Sequence, residues 1–247
     1  MPLQRKQIIG LAVGAVVSIA VYSGFKFFVG SPGGVEQQLD RLEAEDPMVM
    51  AIAANFPAEW PGLRAQIVSD AKSGMSVQEV TQRAFVRSRA FMQERAPATA
   101  AASTPSLVAA AKGESEFIAQ LQKDNVQDCA DFAMRGLKPT ATLSASALAR
   151  LSPAVQARVK ATREGLDNPI ERPAAGEADW AAVMAAMQAN GLSAEGLESF
   201  QNPDAVPVDD QCEGGVHLYR AVSGLPPEQA ARVYAEMTRE AAQVSAP

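Results

Sequence analysis

The sequence predicts an all-α protein: a single N-terminal transmembrane helix, then a compact domain of roughly nine to eleven short helices with one disulfide. Three observations lead there. Alanine, the best helix former and a poor strand residue, supplies 47 of the 247 residues, while aromatic residues make up only 6%. Helix-starting and helix-ending residues recur at short intervals, and no apolar–polar alternation reaches strand length with β-branched content. The N-terminal region also holds one long uncharged apolar run. The organisation is then residues 1–29 as cytoplasmic N-terminus and transmembrane signal-anchor, 30–34 as a flexible tether, and 35–247 as an all-α exported domain with a sub-domain joint at 96–104.

Residues 8–25 (IIGLAVGAVVSIAVYSGF) carry no charge. Eighteen helical residues reach about 27 Å, close to the roughly 30 Å hydrocarbon core. Lys26 can snorkel to the headgroups beside Phe27 and Phe28, which extends the contact with the lipid bilayer to residues 8–29. Arg5 and Lys6 precede the span, whereas residues 27–40 hold only Glu36 and Asp40, so the positive-inside bias keeps the N-terminus in the cytoplasm. A cleavable signal peptide is the rival reading, with Ser18 and Ala20 as its small residues. The run exceeds the roughly 7–15 residues of a signal-peptide core and no strong A-x-A site follows, which favours an uncleaved anchor. Gly10, Gly14 and Ser18 form a small-residue face through which two spans can pair as a homodimer.

Residues 35–45 form a helix with Leu39 and Leu42 on a narrow seam, and Asp46-Pro47 then supplies an N-cap and a first-turn proline for a second helix ending at Phe56-Pro57. A third runs from Pro61 to Gly74. Ser76 and Glu79 make a capping box for a helix to about Arg95, with Val77, Val80, Ala84, Phe85, Ser88, Phe91 and Met92 on one face. Arg83, Arg87, Arg89 and Arg95 scatter around that helix and read as solvated surface. Residues 96–104 (APATAAAST) lack large apolar side chains and contain Pro97, which predicts a loop. Thr104-Pro105 opens a helix to Lys112 that continues or restarts from Glu114 to Lys123, and Asn125 opens another to Gly136. A short helix at 143–151, a second from Ser152-Pro153 to Gly165, and a proline-containing connection over 168–176 follow. The helix over 179–190 stops at Gly191, Ser193 caps a short piece to Phe200, and 201–208 is a loop. Asp209 caps the helix of Cys212, and Pro226-Pro227 begins the last helix, striped by Ala230, Val233, Tyr234, Met237, Ala241 and Val244. Gly214-Gly215 inside a helix marks the close approach of a neighbouring helix, or a bend.

Cys129 shares a helical face with Val126, Phe132 and Ala133, and Cys212 shares one with Val216 and Tyr219, so both sulfurs point inward. In an oxidising exported compartment they pair as one disulfide; in a reducing one they would pack as small buried hydrophobes. His217 lies about 140° around the helix from Cys212, and no C-x-x-C occurs, so neither cysteine reads as catalytic.

Other chemistry is sparse. One His and two Cys cannot furnish a four-ligand zinc site, and Asp204, Asp209, Asp210 and Glu213 lack calcium-loop spacing, so no metal or cofactor is expected. Asp128 and Asp131 are expected to point outward. The net charge of −6 argues against nucleic-acid binding. Without Arg5, Lys6 and Lys26 the exported part keeps 19 Lys and Arg against 28 Asp and Glu, a net charge of −9 that an anionic membrane surface repels.

Gly113-Glu114-Ser115-Glu116-Phe117 resembles the Glu-Ser-x-Phe element of lytic transglycosylases, helical enzymes of the bacterial cell wall in which that Glu is the general acid/base. The resemblance implies that Glu114 is a catalytic carboxyl of raised pKa in a sugar-binding cleft. It covers five of 247 residues, and Ile118-Ala119-Gln120-Leu121 stands where that family continues Gly-Leu-Met-Gln. The plainer account of Glu114 and Glu116 is a solvated helix start favoured by the macrodipole. Two function classes follow. The first is a non-catalytic bacterial inner-membrane protein facing the periplasm and acting through an envelope protein partner, as adaptor, chaperone-like factor or membrane-complex subunit. The second is a cell-wall-active hydrolase or lyase using Glu114.

Overall fold

The computed structural model describes residues 34–244, which form twelve α-helices and one 3-10 turn, with no strand among the described residues. The expected span over 8–29, its Gly10, Gly14 and Ser18 face, and the tether up to residue 33 lie outside the described residues. No helix among the described residues is long and apolar enough to cross a membrane.

Local signals bound three of the first four helices. Helix α1 (Gly34–Glu45) begins at the last residue of the expected tether and buries Leu39. In α2 (Pro47–Asn55) the Asp46 carboxylate accepts from the backbone N–H groups of Met48 (2.9 Å) and Val49 (3.1 Å), satisfying donors that the helix itself cannot. Helix α3 (Trp60–Lys72) ends before Gly74, whose φ of +82° only glycine adopts without strain. Helix α4 (Val77–Glu94) opens with the full Ser76–Glu79 capping box.

The centre of the molecule is the pair α6 (Thr104–Asp124) and α8 (Ala145–Asp167). A Cβ on Gly113 would stand 2.8 Å from the Ala154 Cα, so the two backbones approach more closely than any side chain there would allow. Around α6 pack α7 (Val126–Arg135), α11 (Val208–Gly224) and α12 (Pro227–Val244); against α8 pack α2 and α5 (Ala96–Ala100). Helices α9 (Glu177–Ala189) and α10 (Ala194–Glu198) lie on α11, and a 3-10 turn (Pro203–Ala205) precedes it.

Several expectations need correction. Residues 96–104 are not a loop at the surface: Ala96–Ala100 is helical, with Ala96, Thr99, Ala100 and Ala102 all buried. A Cβ on Gly165 would fall 1.8 Å from the Ala98 carbonyl oxygen, so this small-residue helix packs backbone to backbone on α8. Thr99 and Thr162 join the two through a buried hydroxyl pair at 2.7 Å. The helices expected at 143–151 and from Pro153 onward are one, because Pro153 removes one backbone hydrogen bond while Leu151, Ala154 and Val155 bury the helix on both sides of it. Of the two readings left open for 104–123, continuation is the one found: α6 runs unbroken through Gly113. Asp209 sits inside the first turn of α11 and does not cap it; the cap position is Pro207. Arg87 of α4 and Arg95 at its C-cap are not merely solvated. Arg87 pairs with Asp70 of α3, and the Arg95 guanidinium lies 3.7 Å from the Phe91 ring centre.

Candidate functional site

The disulfide forms as the two helical faces predict. Cys129 on α7 and Cys212 on α11 are bonded across 83 residues of sequence, with both residues fully buried. The Gly214-Gly215 pair allows this. A Cβ on Gly215 would stand 2.2 Å from the Ala133 Cβ of α7, and one on Gly214 would stand 2.7 Å from the Gly196 carbonyl of α10. Phe132, one turn after Cys129, meets Phe117 edge-on with centroids 5.0 Å apart and Tyr219 in a tilted pair at 5.8 Å, so aromatic packing also joins α7 to α6 and α11.

Glu114 is neither solvated nor at a helix start. It lies in the middle of α6 at 0% exposure, in line with Leu107, Ala110, Ala111, Phe117, Ile118 and Leu121. Its Oε1 accepts from Arg158 Nη1 of α8 at 3.0 Å and from the Tyr234 hydroxyl of α12 at 2.8 Å. Arg158 is itself 3% exposed, and Tyr219 of α11 is sealed in the same region. Burial raises the Glu114 carboxyl to about 7, against the opposing pull of the Arg158 charge and the Tyr234 hydrogen bond. Burial and the Glu114 charge hold both tyrosine hydroxyls well above their ordinary value. Glu114 Oε2, Arg158 Nε and Nη2, and the Tyr219 hydroxyl are buried without a hydrogen-bond partner. The sequence carried a signal for this cluster: a lone charged residue at three- and four-residue spacing within an otherwise apolar stripe, in α6 as in α8.

The remaining candidates stay apart. Asp128 and Asp131 are buried rather than turned outward: Asp131 pairs with Lys138 Nζ at 2.7 Å, and Asn125 Nδ2 donates to Asp128 at 2.9 Å. Of the acidic set, Asp204 pairs with Arg135 at 2.6 Å, and Glu213 accepts from the backbone N–H and hydroxyl of Ser193. His217 Nε2 stands 3.7 Å from Glu213 Oε1, and burial lowers the imidazole pKa. No group of three or more His, Cys, Asp or Glu among the described residues is arranged to hold a metal ion. Two clefts among α1–α4, and one between α4 and the Pro139–Thr140 segment, are lined by other residues and do not reach Glu114.

No family model, curated protein or solved structure matches this chain.

Proposed function

We propose that this is a single-pass bacterial inner-membrane protein, N-terminus in the cytoplasm, whose helical domain faces the periplasm and acts by contact with an envelope protein partner rather than by catalysis. The observation that carries the non-catalytic reading is the placement of Glu114. A general acid for a sugar polymer must meet the glycosidic oxygen, and Glu114 is fully buried, tied to Arg158 and Tyr234. Export is supported by the Cys129–Cys212 bond, since disulfides persist in oxidising compartments. Membrane attachment rests on the uncharged run at residues 8–25.

A second reading has one observation in its favour. A carboxyl held at about 7 is what a general acid requires, which keeps the cell-wall hydrolase or lyase using Glu114 as the alternative. Peptidoglycan solubilisation by purified wild type and Glu114→Gln separates the two: no release by either is expected, and release by wild type alone would replace the first reading by the second. A reporter fused after Pro247 tests the topology, and activity only in the cytoplasm would overturn it.

A further inference from the structure

We propose that the junction of α6, α8, α11 and α12 is a proton-binding site, through which the seating of the C-terminal helix follows the surrounding pH. This goes beyond the function proposed above and does not depend on where the domain resides. Glu114 is at the centre, and its two oxygens are unequally served: Oε1 accepts two hydrogen bonds, whereas Oε2 is buried and meets no donor. A carboxylate spreads its charge over both oxygens and needs donors at each, while a neutral carboxyl has one accepting carbonyl oxygen and one oxygen that carries hydrogen. Donors at one oxygen alone suit the neutral carboxyl better than the carboxylate, and Oε2 is the atom that would carry the proton. A buried O–H without a partner costs less than a buried charged oxygen without one.

The groups facing Glu114 are Arg158 from α8, Tyr234 from α12 and Tyr219 from α11. Arg158 opposes proton uptake, because its charge favours the carboxylate. Both tyrosines keep their protons through the neutral range, so they hold the site without titrating in it. Burial outweighs Arg158 and sets the carboxyl near 7.

Helix α12 is the element that closes the site. Its Ala230, Ala231, Val233, Tyr234 and Met237 are completely buried, and its Tyr234 hydroxyl donates to Glu114. Lifting α12 from α6 returns Glu114 to water, where its pKa falls to the ordinary 4.5 and the proton leaves at neutral pH. Seating α12 therefore takes up a proton. A carboxyl whose folded pKa is raised contributes stability that is complete below 4.5 and is lost as the pH rises through about 7. Between pH 6 and pH 8 the opening constant of α12 should rise about tenfold.

Hydrogen exchange of the full-length protein, read by mass spectrometry over α12 and corrected for intrinsic rates, tests this at pH 6 and pH 8. Wild type is expected to open about tenfold more often at pH 8, and Glu114→Gln to show the same opening at both. An equal pH response in the two proteins, or none in wild type, would overturn the proposal. A carboxyl carbon-13 titration of Glu114 in the wild type does not rely on the variant's folding. A midpoint between about 6 and 8 is expected, and one at or below about 5 means that Arg158 keeps the group ionised and ends the proposal.

Discussion

Arg158 Nη1 lies 3.0 Å from Glu114 Oε1, joining α6 to α8 between residues 44 apart in sequence, with both side chains shut away from solvent. Above about pH 7, where Glu114 is ionised, two charges are held out of water here, and their attraction offsets that cost only while both are present.

At pH 8 Arg158→Met should therefore cost about 3–5 kcal/mol, because it strands a buried carboxylate. The cost should be smaller at pH 6 than at pH 8, where Glu114 must stay ionised or take up a proton against the solvent pH. Glu114→Leu combined with Arg158→Met should cost less than the sum of the singles, since it removes both charges together. Urea denaturation of the four proteins forms the cycle; additive costs would show that the pair is uncoupled.

Asp179 gives the opposite pH sign. Arg232 meets it with two hydrogen bonds, Nε at 2.9 Å and Nη2 at 2.7 Å, and holds its carboxyl down at about 2. A depressed folded pKa contributes stability above the ordinary value of 3.8 that is lost as the pH falls through about 2. Asp179→Asn should cost at most about 2 kcal/mol at pH 7 and progressively less below about pH 4. A cost that stays constant down to about pH 2 would remove the ion pair as its source.

The close approaches make a prediction about shape. Gly215→Ala places a Cβ 2.2 Å from the Ala133 Cβ, and should destabilise by about 1–3 kcal/mol. Ala133→Gly in the same chain should recover part of that, because it removes the atom struck. Gly165→Ala meets the Ala98 carbonyl oxygen at 1.8 Å instead, and a backbone atom offers no such compensating substitution. Thermal melting of these variants checks the contrast; equal recovery at both sites would contradict the geometry.

These contacts show what was legible in the sequence. Asp46, Ser76 with Glu79, Asn125 and Ser193 act on the backbone two or three residues away, so local order alone reveals the helices they start. Ala96–Ala100 has no large side chain to announce it. Its helix is held by what it packs against, Gly165 and Thr162, more than sixty residues later. Ser152-Pro153 is a sound start signal that the burial of Leu151 and Val155 overrode. Glu114 has its partners 44 and 120 residues away, which no local motif encodes, yet its place in the apolar stripe of α6 pointed inward. The cysteine pairing was readable because only two cysteines exist and each lies on an apolar face.

That pairing supports the last prediction. The bond closes a loop of 83 residues, for which the chain-entropy model gives about 4–5 kcal/mol at most. It joins α7 to α11, and α12 follows α11 directly, so its loss should loosen the C-terminal third before α4, which packs mainly on α3 and meets this part of the fold chiefly at α12. Cys129→Ser and Cys212→Ser should each lower the melting temperature by a similar amount. The double variant should cost little more than either, because the first substitution already removes the bond. Hydrogen exchange should show α7 and α11 opening earlier in all three, with α4 unchanged. Thiol labelling of the wild-type protein decides the premise: neither sulfur should react with maleimide after denaturation without reductant. If both react, the bond is absent in the isolated protein and the shared loss of stability has no cause.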